Sequence, residues 1–484
     1  MAADAKESPG LFDPTAFKSF RFTSRELDAH GHVTLRYALD EEVFFLEEFD
    51  LPLERPLADL GGAERGRLEG LLSLLHWVAG VSYFKTALPP RVTCETGAPS
   101  PAAARLLEAL YSEGLGELAY TNRLSGLPRP SFSAAATAGP GSVAGQAPPP
   151  TSTMLGGDDA DAIGTSGYDE RPLERVLVPV GGGKDSAVAL EIVRASGVEL
   201  ALFSVGDAPP IARTVAAAGL PRLLARRTLD PGLRALNQAG AINGHIPITA
   251  IVSCVALLTA ALNGFDAVVL ANERSASAGN VSWGGVEVNH QFSKGLRVER
   301  LLSAALAEII GAPRLFSVLR PASELAIARA FAGMGRYHQA FTSCNAIFRI
   351  DPALRAASWC CDCPKCRFVF LVLAPFSDPE HLREVFGRDL LDEDSQFEGF
   401  ALLTATGGHK PFECVGEEQE SLAAIRLLSG DPRWREHRVV RRLEAEVLAR
   451  QPLDAGEPER VLALSAEHDV PMALMADVRA VLSA

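Results

Sequence analysis

The start of the chain has a pattern typical of a small β-rich module. Apolar and polar residues alternate over residues 20–23 and 32–37, and the polar segment between them predicts a β-hairpin. Apolar residues then recur at helical spacing over residues 65–79, and a second helix is predicted for residues 101–113. We therefore expect a first unit, residues 1–125, that combines a β-hairpin with helices.

The composition changes between residues 126 and 171, where Ala, Gly, Pro, Ser and Thr dominate and little periodicity remains. Such a segment buries too little apolar surface to offset the entropy lost when it is ordered. We interpret residues 126–171 as a flexible linker and expect no functional residue there.

Beyond the linker, buried strands alternate with helices. The first unit has a strand at residues 176–180, a helix at 186–196 and a second strand at 199–205. Further strands are predicted at residues 223–227, 267–270 and 315–318, and helices between them at residues 210–218, 247–262 and 298–310. This alternation predicts an α/β fold with a doubly wound parallel sheet over residues 172–376, followed by a mostly helical region at 377–484.

The charge of the chain restricts the class of ligand. Among 484 residues, 46 Lys+Arg face 60 Asp+Glu, so the formal net charge is -14 and a broad electrostatic interaction with nucleic acid is not expected. No apolar run reaches the length of about 18 residues that a membrane helix needs, and the N-terminus lacks the features of a signal peptide. We expect a cytoplasmic protein with a small-molecule ligand and neither a nucleic-acid nor a membrane partner.

A glycine-rich loop directly follows the first α/β strand. Its residues are Gly181, Gly182, Gly183, Lys184, Asp185 and Ser186. Glycines let backbone N–H groups approach a ligand closely, the helix N-terminus adds partial positive charge, and Lys184 and Ser186 can donate to phosphate oxygens. The spacing matches neither the Walker nor the dinucleotide motif. The loop predicts a polyphosphate pocket, and the alternative is an ordinary strand-to-helix turn.

This loop resembles the S-G-G-x-D-S motif of the PP-loop ATP pyrophosphatases. The resemblance implies a doubly wound nucleotide-binding fold, ATP bound by residues 181–186, Mg²⁺ assisted by Asp185, and cleavage of ATP to AMP and pyrophosphate while a substrate is adenylated. Gly181 stands where that family usually has serine. One hydroxyl contact to pyrophosphate is therefore missing or replaced.

Five of the eight cysteines lie close together. Cys360, Cys363 and Cys366 have C-x2-C-x2-C spacing, and Cys344 lies upstream. Four thiolates suffice for a tetrahedral zinc ion, with Cys361 left outside. Unligated core thiols and an iron–sulfur cluster are the alternatives. The cluster resembles the zinc-binding end of the 7-cyano-7-deazaguanine synthases, which are PP-loop enzymes.

Two polar segments follow the strand predicted at residues 267–270. Their candidate site residues are Glu273, Arg274, Asn280, Asn289, His290 and Lys294. In open α/β sheets, ligands bind beyond the carboxyl ends of the strands, so the first segment emerges where a substrate is expected. Arg274, His290 and Lys294 could hold carboxylate or phosphate groups, and Glu273 could be a base or a metal ligand. A solvated loop is the alternative for each.

A third polar segment, residues 409–417, contains Lys410, Glu413 and Cys414. The cysteine stands between two carboxylates, which raise the pKa of a thiol unless Lys410 or a bound cation compensates. We therefore expect Cys414 to be a buried structural thiol, and keep it as a candidate for proton transfer.

Together these segments resemble the UDP-N-acetylmuramoyl-L-alanyl-L-glutamate epimerase family, MurL, from about residue 20 to about residue 420. The matching strings are Glu-Arg-Ser-Ala from 273, Gly-Asn from 279, Asn-His-Gln-x-Ser-Lys from 289, Ser-Cys-Asn from 343, Trp-Cys-x-x-Cys-x-Lys-Cys from 359 and Lys-Pro-Phe-Glu-Cys-Val-Gly from 410. The linker and the last sixty or so residues do not contribute.

The resemblance implies an ATP-dependent epimerase of peptidoglycan precursor synthesis. It would invert the terminal L-Glu of UDP-MurNAc-L-Ala-L-Glu to D-Glu and release AMP and pyrophosphate. An acyl-adenylate would neutralise the carboxylate charge that otherwise opposes removal of the α-proton. The candidates for proton transfer are His290 and Glu413, ranked first, and then Glu273, Lys294 and Cys414, while the candidate substrate ligands are Arg274, Asn280, Asn289 and Lys410.

Two other functions remain open at this point. One is another PP-loop adenylating enzyme, similar to the 7-cyano-7-deazaguanine synthases or to tRNA-thiolating enzymes, although the net charge of -14 argues against tRNA. The other is a non-catalytic ATP-binding sensor. A sensor would need only the glycine loop and would leave the polar segments unexplained.

Overall fold

The computed structural model describes residues 12–132, 171–348, 355–405, 410–452, 454 and 456–483. Most of the predicted linker, residues 133–170, lies outside the described residues. The start of the third polar segment, at residue 409, also lies outside them.

The secondary structure follows the predicted alternation. The strands of the described residues are β1 (Ser19–Leu27), β2 (His32–Leu39), β3 (Val43–Asp50), β4 (Arg91–Cys94), β5 (Arg175–Pro179), β6 (Glu199–Val205), β7 (Arg222–Thr228), β8 (Ala267–Leu270), β9 (Val281–Trp283), β10 (Val286–Val288) and β11 (Arg314–Ser317). The helices are α1 (Gly62–Ala79), α2 (Val81–Phe84), α3 (Pro101–Tyr111), α4 (Gly116–Thr121), α5 (Lys184–Ala195), α6 (Pro209–Ala218), α7 (Gly232–Ala239), α8 (Ile248–Leu262), α9 (Leu296–Ala307), α10 (Glu324–Ala332), α11 (Pro364–Leu373), α12 (Pro379–Phe386), α13 (Phe397–Leu402), α14 (Glu418–Gly430), α15 (Arg438–Glu446), α16 (Pro458–Leu462) and α17 (Met475–Ser483). The predicted α/β strands and helices are confirmed, and so are the hairpin, formed by β1 and β2, and the helical character of the C-terminal region.

The large sheet is mixed and mostly parallel. Its strand order is β11-β8-β5-β6-β7-β3-β2-β1-β4. The five strands from β11 to β7 are parallel, whereas β3 pairs antiparallel with β7 and continues into the antiparallel β2 and β1. The hairpin strands thus extend the α/β sheet, which the sequence pattern does not predict. They cover the edge of β7, where unpaired N–H and C=O groups would otherwise be exposed.

A buried ion pair fixes the junction between these two parts of the sheet. The Nε of Arg227 on β7 donates to Glu47 Oε1 on β3 at 2.6 Å, and its guanidinium also donates to Ser82 Oγ at 2.9 Å. The Glu47 side chain is fully buried. Burial raises the pKa of Glu47, and the charge of Arg227 opposes this effect.

Each face of the parallel strands packs against a separate hydrophobic core. Val176 and Val178 on β5 face a core that includes α5, α10, α11 and the C-terminal helices. Leu177 faces the opposite core, which contains α1, α3 and α8 together with residues of the N-terminal strands. Both faces of β5 are therefore buried, as expected for a central parallel strand. Among the described residues, none of the helices is long and apolar enough to cross a membrane.

The strand order places a topological switch point beside β5. From β5 the chain passes through β6 and β7 on one side and then returns to β8 and β11 on the other. In open α/β sheets, ligands bind outside the carboxyl ends of the strands at such a point. The loops that follow β5 and β8 here are the glycine-rich loop and the segment that begins at Ala271.

Candidate active site

The glycine-rich loop connects β5 to the N-terminus of α5 at this switch point. Gly182 has a φ of +83°, and a Cβ there would lie 2.7 Å from the backbone of Pro210, so the position requires glycine. The Thr342 amide donates to the Gly182 carbonyl at 2.9 Å. Within the described part of the chain, no backbone carbonyl accepts from the amides of Gly182 and Gly183. These amides, at the start of a 12-residue helix, suit an anionic ligand.

The side chains at the start of α5 turn towards the protein. Lys184 is only 1% exposed, and its ammonium forms ion pairs with Asp185 and Glu324. Burial lowers the pKa of Lys184, but the two carboxylates outweigh burial and raise it overall. Ser186 Oγ donates to the Gly183 carbonyl at 3.0 Å. The two side chains expected to donate to phosphate thus bond to protein groups instead.

A chain of buried charges continues from Glu324 to the third polar segment. The ammonium of Lys365 lies 3.6 Å from Glu324 Oε1 and also donates to the carbonyl of Cys414. Glu420 Oε1 accepts from the Glu324 amide at 2.7 Å. Burial, together with the charge of Glu324, raises the pKa of Glu420 to about 8. The start of α5 and the segment around Cys414 therefore belong to one connected site.

The thiol of Cys414 lies in a group of hydrogen-bonded side chains. His290 Nδ1 is 2.5 Å from Glu117 Oε2, and the same imidazole forms a hydrogen bond with Cys414. The Nζ of Lys294 lies 3.6 Å from Cys414 Sγ. A carboxylate that orients an imidazole, which in turn pairs with a thiol, is an arrangement that produces a reactive thiolate.

The electrostatic surroundings of Cys414 differ from those expected. Burial raises the pKa of the thiol, but Lys294, the hydrogen bond from His290 and the charge of Lys365 outweigh burial and lower it from 9.0 to about 7. Burial lowers the pKa of His290, yet its bonds to Cys414 and Glu117 raise it overall to about 9. The expectation of a raised thiol pKa is therefore wrong, because positive groups distant in sequence lower the pKa more than burial raises it. At neutral pH the pair contains substantial thiolate and imidazolium.

His245 completes the surroundings of His290. The rings of His245 and His290 have centroids 4.4 Å apart, and burial lowers the pKa of His245 to about 4, so that it is neutral. The donor atoms of Glu117, His245 and His290 all lie within 4.8 Å of one another, as in a metal site. Two ligands of one zinc ion, however, would keep their donor atoms about 3 Å or more apart. The 2.5 Å separation between Glu117 and His290 is shorter and fits a hydrogen bond.

Two of the predicted asparagines hold loops together. The amide of Asn280 donates to the Pro411 carbonyl at 2.8 Å, and its Oδ1 accepts from the His290 amide at 2.9 Å. Asn280 thus links the segment of His290 to the segment of Cys414. The amide of Asn289 donates to the Ala276 carbonyl at 2.9 Å and stabilises its own loop.

The residues that follow β8 separate into two locations. Glu273 is 3% exposed, its carbonyl accepts from Arg320 at 2.6 Å, and the charge of its carboxylate contributes to the raised pKa of Lys294. Arg274 instead donates to the Ala463 carbonyl at 3.1 Å in the C-terminal region. Glu273 therefore belongs to the group around Cys414, and Arg274 stabilises the packing of the C-terminal segment.

The remaining candidates lie on the loop that carries Cys414. Glu413 Oε2 accepts from Asn345 Nδ2 at 2.6 Å, and burial and the charge of Cys363 raise the pKa of Glu413. Lys410 Nζ donates to the Gly416 carbonyl at 3.4 Å, and burial lowers the pKa of Lys410. Lys294 therefore takes the compensating role that the sequence suggested for Lys410.

The predicted metal-binding cysteines converge. The sulfur atoms of Cys344, Cys360, Cys363 and Cys366 all lie within 4.8 Å of one another. They could hold a metal ion such as zinc. Cys361 lies outside this group, and its thiol donates to the Phe386 carbonyl at 3.3 Å. The same turn opens α11 and carries Lys365, so the cysteine group helps to fix that ammonium.

Sequence reasoning missed five residues of the site, namely Glu117, His245, Glu324, Lys365 and Glu420. Three of them had weak signals in the sequence. Lys365 lies between two cysteines, and Glu324 and Glu420 lie in the first turns of helices. Glu117 and His245 had none, because each stands in a short segment far in sequence from His290.

Models of known protein families match most of the chain. The MurL N-terminal domain matches residues 11–318, and the MurL C-terminal domain matches residues 340–457. The chain belongs to the MurL family. The two MurL domains both contribute to the site, because Glu117 and His290 lie in the first match and Lys365 and Cys414 in the second. The MurL match also extends past residue 420, where the resemblance was expected to end.

Curated relatives of this MurL chain carry the name UDP-N-acetyl-alpha-D-muramoyl-L-alanyl-L-glutamate epimerase. One from Salinispora tropica is 46% identical over 431 residues, which are 87% of each chain. One from a Micromonospora species is 44% identical over 462 residues, 94% of this chain and 96% of the relative. One from Xanthomonas oryzae pv. oryzae is 40% identical over 471 residues, 97% of this chain and 98% of the relative.

Proposed function

We propose that this protein is an ATP-dependent epimerase that inverts the terminal L-Glu of UDP-MurNAc-L-Ala-L-Glu to D-Glu and releases AMP and pyrophosphate. Membership of the MurL family and the names of the relatives support the epimerase activity and the substrate. The structural observation that carries the proposal is the thiol of Cys414, paired with His290 and 3.6 Å from Lys294. Epimerisation requires a base whose pKa lies near the working pH, and this thiol meets that requirement.

The glycine loop supports the use of ATP. The Gly182 and Gly183 amides at the start of α5 would hold the phosphates, and Asp185 would leave its Oδ2 for Mg²⁺ because its Oδ1 pairs with Lys184. ATP bound there would supply an adenylyl group to the substrate carboxylate with release of pyrophosphate, which would neutralise the carboxylate and acidify the α-proton. Hydrolysis of the anhydride after inversion would release AMP and the free carboxylate. In this proposal Lys184 holds α5 against α10 and does not bind phosphate.

Inversion requires proton carriers on both faces of the α-carbon. We assign the thiolate of Cys414 to one face, where it becomes the thiol on receiving the α-proton and stays hydrogen-bonded to the His290 imidazolium. We assign Glu273 to the other face, because it is buried shortly after β8 and its charge, like that of Cys414, acts on Lys294. Its carboxyl group would carry the proton that is returned to the α-carbon. The ammonium of Lys294 would then bind the glutamyl carboxyl oxygen between the two carriers and stabilise negative charge there.

Other predicted residues take supporting roles in this proposal. Asn280 and Asn289 order the loops, and the four cysteines bind a structural zinc ion. In this proposal Arg274 and Lys410 do not bind the substrate, because their cationic groups donate to backbone carbonyls of the protein.

The test of the activity is direct. The protein is incubated with UDP-MurNAc-L-Ala-L-Glu, ATP and Mg²⁺ in D2O, and the configuration and deuterium content of the glutamate are determined. We expect D-Glu with deuterium at the α-carbon and one pyrophosphate per turnover. Cys414→Ala should lose at least about 100-fold in rate, while Cys94→Ala, a half-buried cysteine on β4, serves as the matched control. Product that remains L, without pyrophosphate, would overturn the proposal.

The assignment of the two faces has its own test. Glu273→Gln should still exchange the α-proton of one epimer with solvent, while the conversion of L to D is lost. Cys414→Ala should show the opposite epimer preference in exchange. Equal loss of exchange for both epimers in Glu273→Gln would remove Glu273 as a carrier.

The site of ATP is tested at Gly181, where an added Cβ would meet no atom of the described residues within 4 Å. Gly181→Ala should therefore weaken ATP binding without disturbing the fold. Gly66→Ala on α1 is the control, because a Cβ there also meets nothing within 4 Å. Equal ATP affinity in both variants would show that the nucleotide does not lie against this loop.

A further inference from the structure

A groove opens to solvent beside the group around Cys414. Its volume is about 430 Å³, and it is lined by Tyr120, Thr121, Arg123, Leu124 and Trp283. The rings of Tyr120 and Trp283 meet edge to face with centroids 6.2 Å apart, and Phe412 lies 5.2 Å from Tyr120. Thr121 and Arg123 are exposed. The groove thus combines aromatic faces with a cationic rim.

The walls of the groove continue directly into the reactive residues. The tyrosine on α4 lies three residues beyond Glu117. The β9–β10 hairpin leads from Trp283 to His290, and Phe412 lies two residues before Cys414. A ligand with one end at the thiol could therefore extend into the groove without leaving the surface.

The length of the dipeptide is comparable to the spacing along α4 between Glu117, which contacts His290, and the groove. Along α4, Thr121 lies four residues beyond Glu117, which corresponds to about 6 Å. Two extended amino acids span about 7 Å. If the glutamate of the substrate lies at Cys414, the group attached to the amino end of L-Ala-L-Glu reaches the groove.

We propose that the groove binds the amino-sugar ring of the substrate between Tyr120 and Trp283, with the adjoining diphosphate at Arg123. The inference rests on the proposed function, because it uses the substrate named there. Aromatic side chains offer an apolar face to the C–H groups of a sugar and a polar edge to its hydroxyls. A guanidinium binds phosphate oxygens through two parallel hydrogen bonds. The groove holds the part of the substrate that does not react and so positions the glutamate.

The experiment measures the binding of UDP-N-acetylglucosamine and of UDP to the full chain by calorimetry. We expect the sugar nucleotide to bind the wild type at least tenfold more tightly than UDP does. Trp283→Ala should abolish this difference, and Arg123→Ala should weaken both ligands at least tenfold. Arg129→Ala, an exposed arginine outside the groove lining, is the matched control and should leave both affinities unchanged.

Fluorescence gives a second measurement. Trp77, Trp359 and Trp434 are at most 9% exposed, whereas Trp283 is half-buried. Binding of the sugar nucleotide should therefore change the emission of Trp283, and Trp283→Phe should remove that change.

Each outcome decides one of the two proposals. Wild-type affinities in both Trp283→Ala and Arg123→Ala, or no binding of the sugar nucleotide to the wild type, would overturn the groove assignment. Epimerase activity together with either result would leave the proposed function intact. Binding that both variants weaken, in a protein without epimerase activity, would support the groove and reject the proposed function.

Discussion

Removal of the Lys294 charge should take away most of the thiolate at Cys414. The two groups are 3.6 Å apart. At an effective dielectric constant of about 20, unit charges at this separation interact by about 4–5 kcal/mol, which corresponds to about a thousandfold change in the thiol–thiolate equilibrium. His290 and Lys365 remain in Lys294→Gln and recover part of this effect. We therefore expect a loss of at least about 50-fold in the thiolate fraction at pH 7.

The thiolate can be measured by its rate of alkylation. Because the pKa of Cys414 is about 7, its reaction with iodoacetamide should rise with pH through neutrality in the wild type. A thiol is neutral when protonated, so the loss of a nearby cation raises its pKa and moves this rise to higher pH. Mass spectrometry of the Cys414 peptide separates its reaction from that of the other cysteines. Deuterium incorporation at the glutamate α-carbon should fall in parallel.

The matched control is Lys410→Gln, which removes a lysine from the loop of Cys414 itself. The ammonium of Lys410 donates to the Gly416 carbonyl, so the alkylation profile of this variant should stay within about twofold of the wild type. A wild-type pH profile in Lys294→Gln, or an equal displacement in Lys410→Gln, would refute the electrostatic explanation of the reactive thiol.

Three further predictions concern other parts of the chain. The proposed zinc site predicts one zinc ion per chain in the purified protein and a small fraction of that in Cys366→Ser, as measured by elemental analysis, and equal zinc contents would contradict it. Burial raises the pKa of Glu420 from 4.5 to about 8. Between about pH 5 and 8 the folded protein therefore keeps a proton on Glu420 that the unfolded chain has lost. The free energy of unfolding should consequently fall as the pH rises from about 5 to 8. Glu420→Gln should lessen this decline by up to about 1.4 kcal/mol per pH unit in urea unfolding, and an unchanged decline would contradict the argument. Arg227→Met leaves Glu47 buried without its partner and should cost about 3–5 kcal/mol in the same measurement, whereas the exposed Arg226→Met should cost less than about 0.5 kcal/mol.

The α/β part of the fold could be predicted because its signals are local. The run of apolar residues at β5 and the glycines that follow it define a strand and a helix start within a few residues. The junction of β3 with β7 has no such signal, because Phe49 and Arg227 are far apart in sequence and pair only when the whole sheet forms. The pattern therefore identified the N-terminal strands but not their position in the sheet.

The site was predictable in its residue types and not in its electrostatics. Cys414 and His290 were candidates because polar residues follow buried strands and tight loops. The pKa of the thiol was predicted in the wrong direction because the prediction weighed the adjacent carboxylates against Lys410 or a bound cation, and did not include protein charges distant in sequence. In the folded chain Glu413 bonds to Asn345, while Lys294, 120 residues away in sequence, lies against the sulfur.

The buried charges also explain how two distant segments keep a fixed spacing. The ammonium of Lys184 at the start of α5 pairs with Glu324, and Glu324 pairs with Lys365, which donates to the carbonyl of Cys414. A buried charge that loses its partner costs several kcal/mol, so none of these side chains can move without leaving another charge unpaired. The distance from the glycine loop to the thiol is therefore set by these buried ion pairs and by the four clustered cysteines beside Lys365. The proposed reaction, which activates a carboxylate at one end and moves the adjacent α-proton at the other, requires such a fixed distance, because both steps act on neighbouring atoms of one substrate.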